Sequence, residues 1–258
     1  MSLPFVAMRD ITKTFGAVRA LRRVDIEVVN GEIVGLVGDN AAGKSTLMKI
    51  LTGVYTPDAG EILIDGKPVR FASPMEARAS GIEMVYQDFA LVPELSVTEN
   101  IFLGREVTRA LLGLRFLDKQ PMAQQASELF GRLGLRVPPV DTPVRALSGG
   151  QQQAVAVARA TAFDAKLVIM DEPTANLGAT AIAKVRETIG RLKAHGVAVI
   201  LISHRLEDVF TTADRVVVMK HGHIVGQRVV ADTVADEVLH MIVAGVDPRR
   251  GALPHASA

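Results

Sequence analysis

The sequence predicts an α/β fold with a mostly parallel core sheet, an antiparallel β section at the N-terminal end and an inserted helical section. Three observations predict it. The strand-sized runs Ile33–Val37, Leu167–Met170 and Val197–Ile202 are apolar throughout, as strands buried on both faces are. They alternate with segments of helical period. From about 89 to 163 the pattern turns helical, with Ala123, Ala126, Leu129, Phe130 and Leu133 recurring until Gly134.

Composition narrows the class. With 258 residues, 48% of them hydrophobic, the chain has ample material for a core. A net charge of +1 gives no global attraction to nucleic acid or to an anionic membrane. There are no cysteines, so disulfides and thiolate metal sites are excluded. Met1–Phe5 leads directly to Arg9 and Asp10 without the apolar stretch of a signal peptide. The longest apolar runs are far shorter than the ~20 residues that span a bilayer. The expectation is a soluble, cytoplasmic protein.

The elements follow in order. Phe5–Met8, Val24–Val28 and Ile33–Val37 have strand length, and Asn30-Gly31 predicts a hairpin between the last two. Phe15-Gly16 is assigned to the loop before them. Asp65-Gly66 joins Glu61–Ile64 to Lys67–Arg70 as a second hairpin. Ser73-Pro74-Met75-Glu76 starts a helix that Gly81 ends. Ile82–Tyr86 is a strand with Gln87 and Asp88 at its end. Ser96-Val97-Thr98-Glu99 is a capping box, Arg105–Lys119 has no clear period, and Pro138, Pro139 and Pro143 mark a rigid connection. A helix opens at Ser148 and runs to Ala162. The strand Leu167–Met170 leads to Asp171-Glu172-Pro173, where the proline stops regular pairing. A helix over Thr180–Lys193 precedes the strand Val197–Ile202 and then Ser203-His204. His221-Gly222 turns a late hairpin between Val216–Met219 and Ile224-Val225. Asp236–Val243 forms the last helix, and 246–258 has the composition of a disordered tail.

Chemistry concentrates at a few places. Gly38-Asp39-Asn40-Ala41-Ala42-Gly43-Lys44-Ser45-Thr46 follows a strand and opens a helix, fitting the phosphate-loop pattern. Its glycines let successive N–H groups converge on phosphate oxygens. Lys44 would reach the β- and γ-phosphates, Ser45 would ligate Mg²⁺, and the following helix presents its positive end. Asp171 and Glu172 arrive at the carboxyl end of a buried strand. One can hold the Mg²⁺ shell and the other can polarise a water. Ser148-Gly149-Gly150-Gln151 is either a helix cap with a flexible glycine pair or a second anion cradle. His204, Gln87 and Phe15 are each ambiguous in isolation.

Their order removes the ambiguity. A phosphate loop, Gln87 after a strand, Leu147-Ser148-Gly149-Gly150-Gln151, Asp171-Glu172 and His204 occur in the sequence typical of ATP-binding cassette ATPases. The chain resembles that family over roughly 5–245, read as one nucleotide-binding domain with the helical section 89–163 inserted. The resemblance implies a P-loop ATPase fold, ATP and Mg²⁺ as cofactors, and roles for individual residues. Phe15 takes the place of the aromatic that stacks on adenine, with Val18 lining the same pocket. Gly38, Asp39, Asn40, Ala41, Ala42, Gly43, Lys44, Ser45 and Thr46 bind phosphate. Gln87 senses Mg²⁺ and contacts a membrane subunit. Asp171 matches the magnesium-site aspartate, Glu172 the general base and His204 the switch histidine. Ser148, Gly149, Gly150 and Gln151 match the family signature, which reaches ATP held by an opposite cassette. The implied partner is a second copy of this chain.

The subgroup is implied in the same way. Phe71–Ala77, Ser96–Glu106 and Val209–Arg215 are similar to monosaccharide importers, and the pattern is nearest single-cassette fructose-import ATPases. That implies permease subunits, indirectly a sugar-binding protein, no nucleic-acid partner, and a peripheral position at the cytoplasmic face of the membrane. The rivals are a cassette protein without a transporter and an importer ATPase for a non-sugar substrate. Three positions depart from the family. Ala41 stands where Gly is frequent and requires a negative φ. Gln152 replaces a frequent Arg or Lys. Gly178 replaces an aspartate that bridges the two sites, which puts their coupling in question.

Overall fold

The structure is a computed structural model that describes residues 3–86, 88–111, 114–135, 139–175 and 177–249. In chain order the elements are β1 (Val6–Phe15), β2 (Val18–Val28), β3 (Ile33–Gly38), α1 (Lys44–Leu51), β4 (Ala59–Ile64), β5 (Lys67–Val69), α2 (Pro74–Ala79) and β6 (Ile82–Val85). There follow α3 (Val97–Phe102), β7 (Thr108–Leu111), β8 (Leu114–Leu117), α4 (Lys119–Leu133) and α5 (Gly149–Thr161). The last elements are β9 (Leu167–Asp171), α6 (Ala179–Ala194), β10 (Ala198–Ile202), α7 (Leu206–Thr212), β11 (Arg215–Lys220), β12 (His223–Val229) and α8 (Ala235–Ala244).

Two sheets organise them. One has the order β12-β11-β3-β10-β9-β6, parallel except for β12 at its edge. The other is antiparallel, β2-β1-β4-β5. The core strands are apolar throughout because each face has its own cover. Ile33, Val37, Val168, Met170, Val199 and Leu201 pack toward the helices α3–α6. Val34, Leu36, Ile169, Ile200 and Ile202 face α1 and the antiparallel sheet. Burying one such side chain contributes about 1.5–3 kcal/mol, so this double-sided packing is what sets the register of the sheet. It also sets the site, because β3, β9 and β10 end side by side: Ile202 pairs with both Leu36 and Asp171.

Three expectations are corrected. Asn30-Gly31 is a turn, with Gly31 at φ +69°, but it joins strands of different sheets rather than a hairpin. The reason is burial. β3, covered on both faces, takes β10 and β11 as parallel neighbours, whereas β2 alternates in exposure over Val24–Val28 and pairs with β1. Phe15 is not in a loop but closes β1, opposite Val18 across Gly16 at φ +57°. The stretch Arg105–Lys119 holds the hairpin β7–β8, whose strand Leu114–Leu117 is exposed at every residue and so carries no periodic signal.

The predicted capping box at Ser96 holds, whereas Ser73 precedes α2 without a side-chain capping bond. Ser96 Oγ accepts from the Glu99 N–H and Glu99 returns a bond to Ser96, while Gly134 ends α4 in the left-handed region at φ +61°. Of the expected tail, 246–249 are tied down: Arg228 pairs with Asp247, and Arg249 with Glu237 at 2.8 Å. Residues 250–258 lie outside the described residues. No helix among the described residues is long and apolar enough to cross a membrane.

Candidate nucleotide site

The loop of residues 38–46 leaves the carboxyl end of β3, where parallel sheets present their ligand groups. Two of its glycines are sterically required. A Cβ at Gly38 would lie 2.1 Å from the Met219 carbonyl oxygen, and one at Gly43 would lie 2.9 Å from the Ala20 oxygen and from Leu21. Strands β11 and β2 thus press the loop into a tight arch. The Gly222 N–H donates to the Ala42 oxygen at 3.0 Å and fixes the arch from the other side. α1 has no side-chain cap, so its first N–H groups remain available at the positive end of the helix dipole.

Ala41 corrects an expectation. Its φ is +65°, not negative. The neighbouring anchors hold it there at a cost of about 1–2 kcal/mol for a residue with a Cβ. Ala41→Gly is therefore expected to stabilise the chain by about 0.5–1 kcal/mol in urea denaturation, after allowing for the greater freedom of glycine in the unfolded state. An alanine-to-glycine change in an ordinary element does the opposite.

Four functional side chains converge here. The Lys44 ammonium is buried and donates to the carbonyl oxygens of Gly38 at 2.6 Å and Asp39 at 3.0 Å. Burial lowers its pKa, opposed by the charges of Glu172, Asp171 and Asp39. Asp171, the last residue of β9, has its pKa raised by burial, opposed by Lys44, His204 and Lys49. Glu172 has its pKa raised by burial, with His204 opposing and Asp171 adding. In all three groups desolvation outweighs mutual attraction. Glu172 sits at φ +50° with its N–H bonded to the Ile202 oxygen at 2.9 Å, which turns the chain sharply off the strand. Its Oε1 lies 3.3 Å from His204 Nε2, yet the contact is not aligned as a hydrogen bond. A buried carboxylate oxygen with raised basicity and no donor is equipped to accept a proton.

The donors also suit Mg²⁺. The Ser45 hydroxyl and the Asp171 carboxylate are hard oxygens, and a divalent cation would offset the desolvation that raises Asp171. Gln87, assigned to the same shell, lies outside the described residues.

The other assigned residues are placed apart. Phe15 is 41% exposed and Val18 67% exposed at the tip of the β1–β2 hairpin. The Phe15 ring meets Tyr55 edge-on, with centroids 5.2 Å apart. Ser148 caps α5 in a reciprocal box with Gln151, whose Oε1 accepts from the Ser148 N–H at 2.9 Å. The capping reading of this stretch is therefore correct as far as it goes. Ser148, Gly149 and Gly150 are exposed, and a side chain at Gly149 would meet nothing within 4 Å. None of the hydrogen bonds of 148–151 reaches the loop 38–46. Gly178 precedes α6 at φ −75° in equally open space.

Sequence reasoning missed the clamp around Glu172. Thr174 Oγ1 donates to buried Asp208 Oδ2 at 2.6 Å, and Arg186 donates to Asp208 Oδ1 at 2.6 Å. Gln153, 3% exposed, donates to the Pro173 carbonyl oxygen. Arg159 donates to the oxygens of Phe89 and Ala90 at 2.8 and 2.7 Å and holds that pair at φ +59° and +45°. One signal was available. Gln153 falls on the stripe continued by Ala156, Val157 and Ala160, a polar residue at a core position of α5.

Comparison with known proteins agrees with this geometry. The family described as ABC transporter matches residues 21–175. The chain is 44% identical over 237 residues to the xylose/arabinose import ATP-binding protein XylG of Sulfolobus acidocaldarius, covering 92% of this chain and 93% of that one. It is 45% identical over 255 residues to the fructose import ATP-binding protein FrcA of Rhizobium meliloti, covering 95% and 96%. It also matches a ribose import ATP-binding protein, RbsA 1 of Burkholderia thailandensis, at 46% identity, spanning 46% of that longer chain. Among solved structures, MJ1267, an ATP-binding cassette of an ABC transporter, superposes with a TM-score of 0.80 at 27% identity, covering 95% of this chain and 98% of that one. A dimeric structure of the bacterial cassette MJ0796 superposes at 0.73 with 25% identity, covering 87% and 98%.

Proposed function

This chain belongs to the ABC transporter family, and on that premise we propose that it is the ATP-hydrolysing subunit of a monosaccharide importer. The observation that carries the ATPase is the convergence of Lys44, Asp171, Glu172 and His204 where β3, β9 and β10 end together.

The reaction follows from these groups. The N–H groups of the loop and of the start of α1 receive the phosphates of ATP, and Lys44 exchanges its two carbonyl partners for phosphate oxygens. Ser45 and Asp171, with Gln87 as the assigned third donor, would hold Mg²⁺, which would supply neutralisation of charge on the phosphates. Glu172 takes the proton of the water that attacks the γ-phosphorus, the bond from that phosphorus to the bridging oxygen breaks so that ADP leaves, and His204, 3.3 Å from the carboxylate, faces the γ-phosphate. Phe15 and Val18, exposed at the hairpin tip, form the adenine platform.

The stretch Ser148–Gln151, exposed over its first three residues, serves a second chain. Its helix start is an open anion cradle with no bonds to the chain's own loop, so one copy offers each half of a site and two copies complete both. The dimeric structure of the similar cassette MJ0796 supports that pairing. The functional unit is then a homodimer at the cytoplasmic face of the membrane, held there by permease subunits and acting indirectly with a sugar-binding protein. Domain limits of 5–245, with the helical section 89–163 inserted, fit this unit. The relatives are named for xylose/arabinose, fructose and ribose, all monosaccharides. That favours a sugar over another cargo.

Purification of the chain from its own cell membranes, followed by reconstitution in vesicles with any integral-membrane subunit that accompanies it, tests the reading. ATP hydrolysis should rise several-fold when a monosaccharide-loaded binding protein is added. A complex containing no integral-membrane subunit would instead support the cassette protein without a transporter.

A further inference from the structure

The turn that carries Glu172 is held at three points by three different elements. The Glu172 N–H bonds the end of β10, Thr174 bonds Asp208 on α7, and the Pro173 oxygen accepts from Gln153 on α5. The first two hold the turn to the switch-histidine side of the chain's own site. The third holds it to the helix whose N-terminus is Ser148. Gln153 stands five residues beyond that cap on the same helical rod, and both it and Pro173 are buried. A carbonyl buried in a turn needs its donor, and α5 supplies it through this amide.

We infer that Gln153 is a positioning residue, setting the Glu172 turn against α5 through the Pro173 oxygen. The helix that closes one ATP site therefore fixes the base of the other. This rests on the paired-cassette reading above. Any displacement of α5 on engaging the partner's ATP pulls on Pro173, adjacent to the base. Arg159, further along the same helix, ties α5 to Phe89 and Ala90, so the rod is held at its far end while its N-terminus faces the partner.

Mixed dimers separate this from a merely structural role. One chain carries Glu172→Gln, so hydrolysis reports the single intact Glu172 of its partner. Gln153→Met keeps length and helix propensity but removes the donor, and it can be placed on either chain. With Gln153→Met on the chain that retains Glu172, kcat should fall about tenfold with KM for ATP within about twofold of the parent. With the change on the Glu172→Gln chain, whose α5 closes the active site, the rate should stay within about twofold. Loss only in the second arrangement would show that Gln153 supports the signature helix for the partner's ATP, and would overturn the inference. So would equal loss in both arrangements or no loss in either. The parent mixed dimer is the control for the reading beneath. If it neither pairs on adding ATP nor hydrolyses it, the paired-cassette function itself fails, before Gln153 is altered.

Discussion

Glu172→Gln should lower kcat for ATP by about 10²–10⁴-fold while leaving KM nearly unchanged, because an amide of the same shape cannot accept the proton of the water that the proposed base would activate. The measurement is steady-state phosphate release, together with dimer formation on adding ATP followed by light scattering. The variant should bind ATP, pair and remain paired. A normal turnover rate would remove Glu172 from the role of base. The pH dependence has a defined sign. Burial raises the Glu172 pKa above its ordinary value, so the carboxylate is lost, and kcat with it, at a higher pH than for an exposed glutamate as the solution is acidified. The same shift makes a stability statement. A carboxyl whose folded pKa is raised stabilises the fold most below its unfolded pKa, and that contribution disappears as pH rises through the folded value. At neutral pH the buried carboxylate is therefore a burden, and its Oε1 has no aligned donor. Glu172→Gln should raise the Tm of the nucleotide-free chain, on the order of 2 °C for each kcal/mol relieved. Inactivity with higher Tm distinguishes loss of the base from misfolding.

Lys44→Ala has the second largest effect, and on binding rather than on the base. The ammonium is buried at the loop and is the charged side chain bonded inside the arch. Truncating one member of a desolvated charge pair costs about 2–5 kcal/mol, so ATP affinity should fall by about 30-fold or more, read by titration with a fluorescent ATP analogue. The nucleotide-free chain should be hurt far less. Burial already depresses the Lys44 pKa against the pull of three carboxylates, so the folded state gains little from its charge. If the variant bound ATP as well as the parent, the phosphate assignment of the loop would be wrong.

How much was legible in the sequence differs between kinds of feature. Contiguous patterns could be read directly: the loop at 38–46, the pair Asp171-Glu172 and the capping box at Ser96 all depend on near neighbours in the chain. The buried strands were legible too, since only double-sided burial makes Val197–Ile202 wholly apolar. Where the signal is local but its partner is distant, the reading failed. Asn30-Gly31 is a good turn wherever its strands go, and the destination of β3 was decided by β10 and β11, which are more than 150 residues away. The hairpin β7–β8 escaped because exposed strands have no periodic burial to show.

By itself the sequence determined which residues stand as candidates for the chemistry, because types and spacing around a phosphate-binding loop are constrained by the phosphates themselves. Only the tertiary structure decided how those residues are held. The left-handed φ of Ala41 comes from strands pressing on both sides of the loop, and no feature of an alanine announces it. The raised basicity of Glu172 comes from burial at the ends of three strands brought together by the sheet. The attachment of its turn to Gln153 spans twenty residues and crosses from helix to strand end, so it exists only once α5 has packed. Spacing encodes contacts made within a loop or a helix turn, whereas desolvation and strain are properties of the assembled core.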